Sequence, residues 1–260
     1  MTSPILVTGG TGALGRLFVP LLRDAGRPVR VLTRGAREPQ DGVEFVTGDL
    51  VKDEGVDRAV EGVEVVVHLA GGRKGDDDAA RNLVRAAKAA GVRHLVYISV
   101  TAADALPLGY FRQKYAAERI VAESGVPWTT LRAAQFHSFM LNALRGMAKS
   151  PVMPALRGAR WQPVDARDVA ERLAELALGE PAGMVADLVG PRVYDMTALA
   201  RDYLRATGKR RPILPVRLPG KAGRAYRAGD NLSLDGADFG GRTWEDFLAE
   251  EFGARPARRA

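Results

Sequence analysis

Short, nearly continuous apolar runs alternate along this chain with longer stretches in which apolar residues recur every three or four positions. The runs Ile5–Val7, Val29–Thr33, Val43–Thr47, Val63–Leu69, His94–Ser99 and Trp128–Arg132 are rich in valine and isoleucine. That pattern predicts strands buried on both faces of a parallel sheet. Between them, Gly12–Ala25, Asp53–Glu61, Asp76–Ala90 and Tyr110–Ser124 carry helical spacing, and Gly26, Gly62, Gly91 and Gly125 stand where helices would end. Strand and helix in repetition predict a doubly wound α/β fold around a parallel sheet.

Beyond residue 150 the rhythm loosens. Pro151, Pro154, Pro163, Pro181 and Pro191 punctuate short elements, helices are still expected at Arg167–Leu178 and Thr197–Thr207, and a stretch rich in proline and glycine runs from Pro212 to Gly241. The expected organisation is a Rossmann-like nucleotide-binding core over residues 1–150. Residues 151–260 are expected to supply elements that return to the sheet and a small C-terminal cap over the substrate.

Composition narrows the chemistry. There are no cysteines, so disulfides, thiolate metal sites and cysteine nucleophiles are excluded, and His68, His94 and His137 are too scattered to suggest a metal centre. His68 and His94 fall in strands, where buried structural roles are expected. No apolar run approaches the ~18 residues of a membrane span and no leader pattern opens the chain, so a cytoplasmic protein with no membrane partner is expected. The net charge of +7 is uneven. Residues 1–195 hold 25 Lys and Arg against 23 Asp and Glu, whereas residues 196–260 hold 13 against 8, with Arg255, Arg258 and Arg259 in a tail expected to fray. No basic stripe interleaved with aromatics is present, so nucleic acid is not an expected partner.

The stretch Thr8-Gly9-Gly10-Thr11-Gly12-Ala13-Leu14-Gly15 follows the first strand and opens the first helix. Glycines at 9, 12 and 15 let backbone approach a pyrophosphate at a helix N-terminus, so this loop is read as dinucleotide-binding. The second strand ends at Thr33 and runs into Arg34, with Arg37 close behind and no acid before Glu38. An acid there would bond ribose hydroxyls, whereas arginine grips a 2′-phosphate, so NADP(H) is expected over NAD(H). Gly48-Asp49-Leu50 after the third strand and Leu69-Ala70-Gly71 after the fourth extend the same pocket. Asp49 is read either as an acceptor for the adenine amino group or as a cap for the helix near Asp53; Leu50 would pack the ring.

These stretches, together with His94-Leu95-Val96-Tyr97-Ile98-Ser99, the pair Tyr110 and Lys114, and Ser124-Gly125-Val126-Pro127-Trp128, resemble the short-chain dehydrogenase/reductase superfamily, and its atypical NmrA-like branch fits best. Pro163-Val164-Asp165-Ala166-Arg167-Asp168-Val169-Ala170 resembles the sheet-return motif of that branch. Tyr110 and Lys114 are four apart and so share one helix face. The resemblance implies a tyrosine general acid or base, a lysine that lowers its pKa and bonds the nicotinamide ribose, and a serine, Ser99, that orients the substrate oxygen. Only ten residues separate Ser99 from Tyr110, a shorter connection than the family typically uses, so Thr101 is an alternative to Ser99.

Phe136, His137 and Phe139 follow the sixth strand, where they either line a pocket for a flat substrate or pack the cap on the sheet. The leading expectation is an NADPH-dependent oxidoreductase acting on a small carbonyl or quinone. The alternatives are an NADP-binding redox sensor without turnover and, more weakly, a cofactor-dependent isomerase or dehydratase.

Overall fold

The computed structural model describes residues 3–40, 42–72 and 75–253; the arginines at 255, 258 and 259 lie outside them. The N-terminal half runs β1 (Ile5–Thr8), α1 (Gly15–Asp24), β2 (Val29–Thr33), β3 (Val43–Thr47), α2 (Val56–Val60), β4 (Val65–His68), α3 (Asp76–Ala89), β5 (His94–Val100), α4 (Gly109–Ala122), β6 (Trp128–Ala133) and α5 (His137–Met147). There follow β7 (Met153–Leu156), β8 (Arg160–Trp161), α6 (Ala166–Leu178), β9 (Gly183–Met184), β10 (Leu188–Val189), β11 (Tyr194–Asp195), α7 (Met196–Thr207), β12 (Ile213–Val216), α8 (Gly220–Ala228), β13 (Asp238–Phe239) and α9 (Trp244–Phe252).

The main sheet is parallel, in the order β13-β10-β6-β5-β4-β1-β2-β3, with β9 also on β6. This is the expected doubly wound, Rossmann-like fold. Chain direction changes sides between β1 and β4, so a crevice opens at their carboxyl ends. The strands alternate their side chains between two cores. Ile5, Val7, Val96 and Ile98 pack on the side of α1 and α6, while Leu6, Leu95 and Tyr97 pack on the side of α2, α3 and α4. Each fully buried aliphatic chain contributes about 1.5–3 kcal/mol.

The chain after residue 150 shares in this sheet. The bridge between Phe136 and Val164 leads into α6, which packs beside α1, and residues 183–189 form one interrupted strand along β6. A third core joins α5, α7, α8 and α9 to the small pairings β7–β12 and β8–β11, with Trp244 fully buried in it.

Some boundaries differ from expectation. α1 starts at Gly15 because Gly12 donates its amide to the Gly9 carbonyl (2.9 Å), keeping residues 12–14 in the turn. α2 starts late because Asp53 and Gly55 both take left-handed backbone, at φ 58° and 68°. The stretch 212–241, expected to be irregular, holds β12, α8 and β13, and α5 and α9 were not expected at all. Among the described residues, no helix is long and apolar enough to cross a membrane, and no group of three or more His, Asp and Glu is placed to hold a metal.

Candidate active site

A cleft of about 720 Å³ lies over the carboxyl ends of β1, β2, β3 and β4. Of the residues singled out from sequence, Thr8, Gly9, Thr11, Gly12, Thr33, Arg34, Asp49, Leu50, Leu69, Ala70 and Gly71 line it. The glycines there act in different ways. Gly9 has φ +72°, and a Cβ on it would stand 2.6 Å from the Ala70 amide nitrogen. A Cβ on Gly12 would meet only the Gly9 oxygen, at 3.2 Å, so this residue leaves the cleft open.

Gly10, Ala13, Leu14, Gly15 and Arg37 do not line the cleft. Gly10 packs on Val31, Leu14 is in the core, and a Cβ on Gly15 would be driven into the backbone of Gly9 and Gly10. They shape the loop rather than face it. Ala13 and Arg37 are exposed. Arg16 holds the loop from the other side, donating Nε to the Thr11 carbonyl at 3.0 Å.

Thr8 anchors the floor. Its hydroxyl accepts from the Ala70 amide (3.3 Å) and is hydrogen-bonded to His68 Nδ1 at 2.6 Å, the direction of that bond following the tautomer of the ring. Burial, aided by the Lys114 charge, pushes His68 down to about 3, so the ring stays neutral.

At the outer end the wall is basic. Arg34, Gly35 and Lys52 lie with Thr33 along the cleft, and both cations are exposed. Lys52 was not singled out from sequence, because it follows a turn rather than a strand. Asp49 Oδ1 accepts from the amides of Val51 (2.9 Å) and Lys52 (3.4 Å), fastening the turn that carries Lys52, while α2 has Gly55 at its N-cap and no side-chain cap. Asn82 braces that turn by donating to the Leu50 carbonyl at 2.7 Å. An open glycine turn at a helix start, a wall of two cations and small residues at the end of β4 fit a dinucleotide with a 2′-phosphate.

The inner end is a buried polar cluster. α4 lays Phe111, Lys114, Ala117, Glu118 and Val121 against the core, so Lys114 belongs to the buried stripe and is not a solvated cation. Its Nζ stands 3.1 Å from Asp76 Oδ2, 5.2 Å from the centre of the Tyr97 ring, and 3.0 Å from where a Gly71 Cβ would be. Asp76 itself lines the cleft and accepts from the Gly72 amide at 2.8 Å. Tyr110 sits one turn before Lys114 at the start of α4, with 43% of its surface exposed.

Burial and the Asp76 charge both push the Tyr110 phenol above its ordinary range. The expected lowering by lysine is therefore not what this site shows, because burial first, and the opposite charge of Asp76 after it, act the other way. Ser99 near the end of β5 and Thr101 just after it lie two residues apart, and both hydroxyls are buried without a hydrogen-bond partner among the described residues. The residue between Thr101 and Ala103, Ala102, is held at φ +61°.

The three residues after β6 part company. Phe136 packs against the core beside α6, and Phe139 is exposed. His137 is buried under α9, 5.9 Å from the Trp244 ring and 5.3 Å from that of Phe247, and its Nδ1 is 4.0 Å from Asp165. Burial outweighs the attraction of Asp165 and lowers it to about 4. Of the two readings for His137, this position matches packing.

Comparison with known proteins agrees with this geometry. A family model described as NAD(P)H-binding matches residues 9–177. The (4-alkanoyl-5-oxo-2,5-dihydrofuran-3-yl)methyl phosphate reductase of Streptomyces griseus is 41% identical over 175 residues, a match covering 64% of this chain and 60% of that one. The NAD(P)H azoreductase of Xenophilus azovorans is 30% identical over 215 residues, covering 79% and 74%. Among solved structures, the NADPH-dependent quinone oxidoreductase of Escherichia coli complexed with NADPH superposes with a TM-score of 0.81 at 22% identity, covering 95% of this chain and 99% of that one. The glycine turn, the open strand ends and the family match lead to one conclusion: the chain belongs to the NAD(P)H-binding family.

Proposed function

We propose that this NAD(P)H-dependent oxidoreductase prefers NADPH and reduces a small carbonyl or quinone, with Tyr110 giving the proton. The observation that carries the reading is the placement of Tyr110 one helical turn from a buried Lys114, whose Nζ stands beside Gly71 and Asp76, two residues that line the cleft. Relatives named as reductases, one of them of quinones, support the reaction class. When bound, the cofactor supplies a hydride, two electrons and one hydrogen, to the substrate carbon or ring.

The protein's own work is binding, orientation and proton supply. Arg34 and Lys52 hold the 2′-phosphate, Gly9 and Gly12 admit the pyrophosphate, and Lys114 holds the sugar next to the reacting ring. Ser99 or Thr101 donates its unpartnered hydroxyl to the substrate oxygen. Tyr110 transfers its phenolic proton to that oxygen, completing the two-electron reduction to the alcohol or hydroquinone, and regains a proton from solvent through its exposed edge. Exposed Phe139 offers a flat apolar surface to an aromatic substrate, and the elements after residue 150 close the substrate end.

The test follows reduced-nicotinamide absorbance with a panel of quinones, aldehydes and ketones. Tyr110→Phe is expected to lose about 10²–10⁴-fold in kcat while binding NADPH as before. Full turnover by that variant would remove Tyr110 from the mechanism. Tight NADPH binding without turnover on any substrate would favour the redox-sensor reading.

A further inference from the structure

We propose that Asp76 is a positioning residue of this active site: its carboxylate ties the Lys114 ammonium on α4 to the Gly72 amide after β4, and its negative charge offsets that of Lys114 beside the proton-transfer group. The inference rests on the reading of Tyr110 as the proton-transfer group. Asp76 heads a run of three aspartates, but it differs from Asp77 and Asp78. Those two reach outward to Arg81, at 3.0 and 2.7 Å, whereas Asp76 is 4% exposed and is the first residue of the buried stripe continued by Ala79, Ala80 and Leu83.

A buried carboxylate is costly unless paired, and here one oxygen accepts from the Gly72 amide while the other, without a hydrogen bond among the described residues, is ion-paired with the Lys114 ammonium at 3.1 Å. The pairing joins the turn after β4 to α4, the helix carrying Tyr110. Lys114 is thereby held at the inner end of the cleft beside Gly71 rather than turned outward.

The electrostatic consequence follows from what else faces the cluster. His68 from β4 is neutral, Tyr97 from β5 is held as the phenol by burial and by Asp76, and Glu118, also on α4, is occupied by Arg132 at 2.9 and 2.7 Å. The open balance is between Asp76 and Lys114. Burial first and the Asp76 charge after it raise the Tyr110 phenol above its ordinary range, so the residue keeps the proton it is to give up to higher pH.

The experiment titrates Tyr110 by tyrosinate absorbance in the purified protein, as the difference between each background and its Tyr110→Phe partner. It is read beside the pH dependence of kcat/KM for NADPH-driven reduction. Asp76→Asn is expected to move the Tyr110 titration and the alkaline limb of the rate profile to lower pH, and Asp76→Glu to restore both. Lys114→Met is expected to move the titration the other way and serves as the independent arm if Asp76→Asn does not fold. Titrations that stay in place in folded Asp76→Asn, or in Lys114→Met, would overturn the proposal, as would an Asp76→Glu variant that behaves like Asp76→Asn. Failure of the Tyr110 reading itself looks different: Tyr110→Phe would keep its turnover whatever the titration does.

Discussion

Gly12 and Gly15 lie three residues apart in one loop, yet the structure gives them opposite sensitivities. An alanine Cβ at Gly15 would stand 2.4 Å from the Gly9 oxygen and 2.5 Å from two backbone atoms of Gly10. Those neighbours are backbone, so the start of α1 must back away from the loop. Overpacking of this kind costs about 1–3 kcal/mol. At roughly 2–4 °C per kcal/mol for a chain of this size, Gly15→Ala is expected to lower Tm by about 2–12 °C. At Gly12 the same atom meets one oxygen at 3.2 Å and otherwise points into the cleft. Gly12→Ala is therefore expected to hold Tm within about 2 °C while weakening NADPH about tenfold or more, about 1.4 kcal/mol. Thermal melts without cofactor, paired with calorimetric NADPH titration, separate the two effects. An unchanged Tm in Gly15→Ala would refute the helix–loop contact, and normal NADPH affinity in Gly12→Ala would refute the pyrophosphate cradle.

Two further outcomes are expected. Arg34→Ala removes a cation from the outer wall and should weaken NADPH by about ten- to hundredfold, the worth of a charge-assisted contact of about 1.5–3 kcal/mol, with little change for NADH; equal losses for both would sink the 2′-phosphate assignment. His68 and His137 are lowered to about 3 and about 4, so as pH falls below about 6.5 the unfolded chain takes up protons that the folded chain refuses. Stability contributed by their burial is complete above that pH and declines toward the folded values, by roughly 2 kcal/mol per histidine at pH 5. Denaturant unfolding at pH 7 and 5 measures it, and His137→Leu should flatten the difference; an unaltered difference would mean that His137 is not held neutral.

The sheet was legible in the sequence because its strands are buried on both faces, which removes polar residues from both phases of the alternation. The later elements were less so. In α5, His137, Met140, Leu141 and Leu144 form a helical stripe, but their partners come from α7 and α9, more than fifty residues on, so the stripe gains its meaning only from the third core. α9 did carry a local signal: Thr243 and Asp246 form a capping box, each side chain accepting from the other's amide. The proline- and glycine-rich character of the preceding stretch hides it.

The site shows the same division more sharply. Glycines and strand ends announce the cleft because backbone geometry is local, and the residues that line it without having been singled out, Lys52 and Asp76 among them, act through neighbours distant in sequence. Lys114 was visible as a partner of Tyr110, since four residues on a helix is one turn. Its pairing with Asp76 was not, because the contact crosses from α3 to α4, the two helices that flank β5 on one face of the sheet. Yet the phase of α3 contained half of it: an aspartate on a stripe otherwise made of alanine and leucine must be buried, and a buried carboxylate requires a donor. The lysine on the buried stripe of α4 poses the mirror requirement. Each helix alone carries an unsolved charge, and packing them side by side solves both at the one edge of the cleft where proton transfer is proposed.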